Sequence, residues 1–141
     1  MAANRVLIDT GPLVALLNER DAAHGRCAAA VRDLPQPMIT SWAVLAEAAW
    51  LLRSEHDGLI RLLALLDGGV IQCPEIDSGA SRKLIELAEK YADLSPQLAD
   101  LTLLWLSEEE GIETIFTLDR RDFSVYRKAG GQPFSLLPES R

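Results

Sequence analysis

The chain has 141 residues, with 14 Lys or Arg against 21 Asp or Glu, for a formal net charge of −7. Its 48% hydrophobic and 25% charged residues suit a globular domain that closes its own core without disulfides or a structural metal. The acid excess argues against a basic surface gripping DNA or anionic membrane. No apolar run approaches the roughly 20 residues of a membrane helix, and Met-Ala-Ala-Asn-Arg leads into only three apolar residues before Asp9. Cys27 and Cys73 are isolated thiols without CxxC spacing, as expected in a reducing cytoplasm. His24 and His56 lack a partner at metal-ligand spacing and read as surface residues. These features predict one cytoplasmic domain over residues 1–141.

Val6-Leu7-Ile8 is short, apolar and β-branched, the pattern of a strand buried on both faces. Asp9-Thr10-Gly11-Pro12 breaks it and starts a helix at about Leu13. A second helix is predicted over 21–31, closed by Pro35-Gln36-Pro37. Met38-Ile39-Thr40 reads as a strand, and Ser41 as the cap of a helix from Trp42 to about Arg53 that is apolar nearly all round. Residues 59–66 repeat at helical spacing up to Gly68-Gly69. Val70-Ile71-Gln72-Cys73 resembles a strand ended by Pro74. Asp77 or Ser78 then caps an amphipathic helix to about Tyr91, and Pro96 opens another that reaches about Glu110. Thr114-Ile115-Phe116-Thr117-Leu118 is the strongest strand signal, and Phe134–Leu137 a further one. Short apolar strands alternating with helices predict a parallel sheet covered on both faces. Ligands of such sheets bind outside the carboxyl ends of the strands.

Asp9 and Asp119 each follow a predicted strand. Either is read as a turn or helix cap on its own, but two central parallel strands would aim both into one crevice. Glu47 lies among Val44, Leu45, Ala46, Ala48, Ala49, Trp50, Leu51 and Leu52. A carboxylate there is costly unless it is paired, for instance with Arg53, faces a solvent gap, or binds a cation. Asp100 falls in the first turn of the Pro96 helix beside a core stripe of Leu98, Leu101 and Trp105, where the helix dipole alone would favour it. Asp93 reads as a loop or cap residue, and Glu108-Glu109-Glu110 as a solvated, frayed helix end. Converging acids cannot all stay ionised without a cation. Oxygen-only ligands point to Mg²⁺ or Mn²⁺, and hence to phosphodiester hydrolysis.

The strand ending in Asp9-Thr10-Gly11-Pro12-Leu13 and the Ala46-Glu47 pair in an apolar helix resemble PIN-domain ribonucleases. Tyr91-Ala92-Asp93-Leu94, Leu98-Ala99-Asp100 and Phe116-Thr117-Leu118-Asp119-Arg120-Arg121-Asp122-Phe123 extend the likeness. In order and spacing these segments are most similar to VapC-type toxins of bacterial toxin–antitoxin pairs, from Val6 to about Leu137. The resemblance implies an α/β fold, a PIN-like three-layer α/β/α sandwich with a central mainly parallel sheet. It also implies an endoribonuclease with Asp9, Glu47, Asp100 and Asp119 as catalytic, metal-site acids for Mg²⁺ or Mn²⁺. Thr10 and Thr117 become supporting hydroxyls that orient those carboxylates, and Asp122 a structural cap. Relatives commonly form homodimers and are inhibited by a small antitoxin. Two positions depart from the pattern: Gln97 stands where an additional acid is frequent, and Leu101 where a small residue is usual, which places a second metal in question.

An acidic site must still hold a polyanion. Arg120, Arg121, Arg127 and Lys128 form the one basic concentration and are read either as RNA phosphate contacts, Arg120 and Arg121 first, or as a solvated loop. Trp42, Trp50 and Trp105 are read as core. The alternatives are a free-standing PIN-family nuclease in RNA processing and a catalytically weak acidic metal-binding module. A phosphatase of the haloacid dehalogenase type is disfavoured, because it wants a second Asp where Gly11 stands.

Overall fold

The computed structural model describes residues 4–140. Five strands form one wholly parallel sheet: β1 (Val6–Ile8), β2 (Met38–Ile39), β3 (Ile71–Gln72), β4 (Thr114–Phe116) and β5 (Ser135–Leu137), in the order β3-β2-β1-β4-β5. Helices flank this sheet in the three-layer arrangement expected of the sequence. The strands are short and carry no polar–apolar alternation. Val6, Leu7, Ile8, Ile115 and Phe116 are all buried, as strands covered on both faces require. Three strands end where a polar residue follows: Asp9 after β1, Thr40 after β2 and Thr117 after β4.

Seven helices join the strands: α1 (Thr10–Leu17), α2 (His24–Val31), α3 (Trp42–Leu51), α4 (Gly58–Asp67), α5 (Ser81–Lys90), α6 (Leu98–Glu110) and the one-turn α7 (Arg120–Phe123). The boundaries differ from expectation by a few residues. α1 begins at Thr10, since Pro12 fits inside a first turn, where its missing N–H costs nothing. Asp77 caps a short 3-10 turn, Ser78–Ala80, before α5. α6 ends at Gly111, whose φ of 67° is the left-handed conformation that glycine adopts without strain.

Four expectations about side chains need correction. Trp42 and Trp50 are 63% and 64% exposed, not core, whereas Trp105 is half-buried against the core. α3 buries Val44, Leu45 and Ala48, and the row Trp42, Ala46 and Trp50, spaced by four, faces outward. An all-apolar helix cannot cover every face when its neighbours pack on one side. Leu98 is likewise 60% exposed, and the buried arc of α6 instead runs through Ala99, Leu101, Thr102, Leu103, Leu104 and Leu106. The acidic end of α6 is tied down rather than left frayed: Arg5 donates to the Glu110 carbonyl at 2.6 Å, and Lys83 pairs with Glu108 at 3.3 Å. His24 is half-buried, with Nδ1 2.7 Å from the Ala15 carbonyl oxygen, while His56 is exposed.

Candidate active site

The strand order places its reversal between β1 and β4. β1 leads to β2 and β3 on one side, and β4 leads to β5 on the other. A crevice opens at such a switch point, outside the carboxyl ends of the strands. The register pairs Ile8 with Phe116, so the next residues, Asp9 and Thr117, emerge side by side. Thr117 Oγ1 donates to Asp9 Oδ2 at 2.8 Å, and the Asp119 amide donates to Thr117 Oγ1 at 3.0 Å. One buried hydroxyl therefore fixes both carboxyl-bearing segments. Asp9 precedes α1 at the N-cap position, but this bond turns its carboxylate toward β4.

The crevice is a cavity of about 500 Å³ whose lining includes Asp9, Glu47, Asp100, Asp119 and Asp122. α3 delivers Glu47 and the first turn of α6 delivers Asp100. The two helices are joined by a directed chain of hydroxyls. Thr102 Oγ1 donates to the Ala99 carbonyl at 2.7 Å, which leaves its oxygen to accept the Ser41 proton at 2.8 Å. Ser41 Oγ in turn accepts from the Val44 amide and caps α3. Glu47 is half-buried at the cavity wall rather than sealed in the core. Arg53 is not its partner: that guanidinium stacks 3.9 Å from the centroid of the Trp50 ring and donates to the Trp50 carbonyl.

Burial, foremost, raises the Asp9 carboxyl above the ordinary range; the Thr10 backbone amide and then the Thr117 hydroxyl oppose it, and the charges of Glu47 and Asp119 add to it. Asp100 is pushed up to about 6, first by desolvation, with Asp9, Asp119 and Asp122 contributing and the Tyr126 hydroxyl pulling the other way. Tyr126 is itself shifted upward by burial and by Asp100, so its phenol stays protonated and donates to Asp100 Oδ2 at 3.0 Å. The acids thus lie near enough to feel one another. Even so, among the described residues no group of three or more His, Cys, Asp or Glu is gathered tightly enough to enclose an ion as it stands. The donor chemistry nevertheless fits a hard divalent cation: every charged group in the cavity is a carboxylate, and the buried Thr10 Oγ1 beside Asp9 has no hydrogen-bond partner.

The remaining sequence-predicted residues divide. Gln97 lies in the cavity wall. Asp122 is not the cap: Asp119 Oδ1 accepts from the Asp122 amide at 3.1 Å, and the Asp122 side chain faces the cavity. Its spacing of three from Asp119 on a helical turn is the signal that places both on one face. Arg120 donates to the Leu136 and Pro138 carbonyls and so braces the chain around β5, while Arg121 is exposed. Arg127 is spent on the Ser124, Val125 and Tyr126 carbonyls, and Lys128 pairs with Glu113 at 3.1 Å. Gly11 also lines the cavity, and a Cβ there would stand 3.2 Å from Leu118 Cβ, so the backbone approaches Leu118 closely. Tyr126 carries no such signal in the sequence, since six residues lie between it and Asp119 and no local pattern links it to Asp100.

The sequence profile of the PIN domain matches residues 6–129, and the chain belongs to the PIN-domain family. It is similar to Ribonuclease VapC26 of Mycobacterium tuberculosis, with 27% identity over 135 residues, covering 94% of this chain and all of that protein. Its fold is similar to the crystal structure of Mycobacterium tuberculosis VapC20, described as a Sarcin-Ricin loop cleaving toxin. That similarity has a TM-score of 0.74 at 22% identity, covering 82% of this chain and 91% of the other.

Proposed function

We propose that this PIN-domain protein is a divalent-metal-dependent endoribonuclease of the VapC toxin type, with Mg²⁺ as its ion and Mn²⁺ as a substitute. The observation that carries this reading is the meeting of Asp9, Glu47, Asp100 and Asp119 in one crevice at the switch point of the sheet. These four would hold the cation. A cation held there supplies neutralisation of the charge that builds on a scissile phosphate. Thr117 keeps Asp9 and Asp119 in register with one another, and Thr10 offers its unpartnered hydroxyl beside them.

RNA contact outside the crevice falls to Arg121, because Arg120 is engaged with backbone carbonyls. A cognate antitoxin has an apolar surface to cover: Trp50, Leu51, Leu59 and Ile60 on α3 and α4 are at least half exposed, and Leu51 also lines the crevice. A homodimer is supported by a second apolar groove of about 320 Å³ that includes Trp42, Pro74, Ile76, Leu84 and Leu98. No helix among the described residues is long and apolar enough to cross a membrane.

The test is cleavage of RNA by the purified chain freed of any bound partner. Activity with Mg²⁺ or Mn²⁺, lost in EDTA and in Asp9→Asn, is the expected result. RNA left intact under both ions overturns the reading.

A further inference from the structure

Asp100 is the acid whose orientation is hardest to explain from its own surroundings. It sits half-buried in the first turn of α6, where the helix dipole favours a carboxylate without fixing its direction. Among the described residues its side chain makes a single hydrogen bond, the one received from Tyr126. Tyr126 is fully buried, and its ring is held edge-on by two others, Tyr91 at 4.9 Å and Phe123 at 5.0 Å between centroids. The Tyr91 hydroxyl accepts from the Arg127 amide at 2.9 Å, and the Arg127 guanidinium gathers the Ser124, Val125 and Tyr126 carbonyls. The phenol oxygen is therefore aimed by packing and backbone bonds that do not depend on Asp100. Rigid aromatic walls of this kind set a hydroxyl far more tightly than a solvated side chain would.

We propose that Tyr126 is a positioning residue that holds Asp100 Oδ2, turns the other carboxylate oxygen to the crevice, and so sets the site's affinity for its divalent cation. The segment carrying Tyr126 follows directly from α7, so the same bond ties the Asp119 and Asp122 side of the crevice to the α6 side. This deepens the metal-dependent reading above and rests on it. A hydroxyl that orients a metal-binding carboxylate typically changes metal affinity by about 10- to 100-fold when removed.

The experiment measures Mn²⁺ binding to the full chain by calorimetry, alongside RNA cleavage, for wild type, Tyr126→Phe, Asp100→Asn and the double variant. Expected are a loss of about tenfold or more in Mn²⁺ affinity for Tyr126→Phe, a fall in kcat with KM for RNA unchanged, and no further loss of affinity when Asp100 is already Asn. Mn²⁺ binding by Tyr126→Phe equal to wild type overturns the proposal, as does the same loss in the Asp100→Asn background. Wild type that neither binds Mn²⁺ nor cleaves RNA overturns the metal-dependent reading itself. Should Tyr126→Phe fail to fold, fluorotyrosine placed at residue 126 reports by fluorine NMR: a resonance that shifts saturably with Mg²⁺ supports the coupling, and an unmoved one overturns it.

Discussion

Thr117 donates its only hydroxyl proton to Asp9 and accepts the Asp119 amide, so a single oxygen spans the ends of two strands. Thr117→Val keeps the shape and removes both bonds, leaving the partly buried Asp119 amide unpaired and depriving the buried Asp9 carboxylate of its side-chain donor. The expected cost is about 1–3 kcal/mol of stability, read in urea melts, together with a loss of cleavage greater than the loss of fold. Thr117→Ser should restore most of both. Equal stability for Val and Thr at this position would show that the hydroxyl does not bind the two segments together. Asp9 and Asp119 are legible in the sequence because polar residues directly after apolar strands point to a crevice; Asp100 is read from the first turn of its helix, and Thr117, which the sequence places inside the strand, only through the family resemblance. Tyr126 is not legible, since its partner lies on another helix and only packing brings them together.

At the scale of elements, α3 shows what periodicity leaves undecided. Its apolar residues run all round, and nothing in that pattern says which arc is buried. The decision comes from Ser41, whose hydroxyl caps α3 and donates to Thr102 on α6, orienting the Val44, Leu45 and Ala48 face inward. The same orientation puts Glu47 at the crevice and Trp50 outside. Ser41→Ala removes the cap and leaves the buried Thr102 oxygen short of a donor. A loss of about 1–2 kcal/mol is expected. Metal affinity should fall with it, because α3 carries Glu47; a stability loss with affinity unchanged would separate the cap from the site.

At the scale of the whole molecule, the buried acids of the crevice make stability depend on pH. Asp100, raised to about 6, and Asp9, raised by burial, hold protons in the folded state that the unfolded chain has released. The folded state then binds more protons than the unfolded one between the ordinary carboxyl value of 3.8 and about 6, so stability falls as pH rises through that window. In EDTA the melting temperature is expected to drop across it, with a smaller drop in Asp100→Asn. Mg²⁺ should raise the melting temperature most above pH about 6, where protons no longer compete for Asp100. A melting temperature indifferent to Mg²⁺ at neutral pH would leave the crevice without its ion.

By itself the sequence determined the alternation of strand and helix, the parallel sheet, and the acids that could meet, because these follow from local periodicity and from polar residues at strand ends. Only the tertiary structure decided that β1 and β4 are neighbours, that Asp122 joins the cavity, that Arg120 serves the backbone, and that two tryptophans face out. Each of those depends on which surfaces are covered by residues far away in the chain. Long-range packing decides that, and no short segment contains the information.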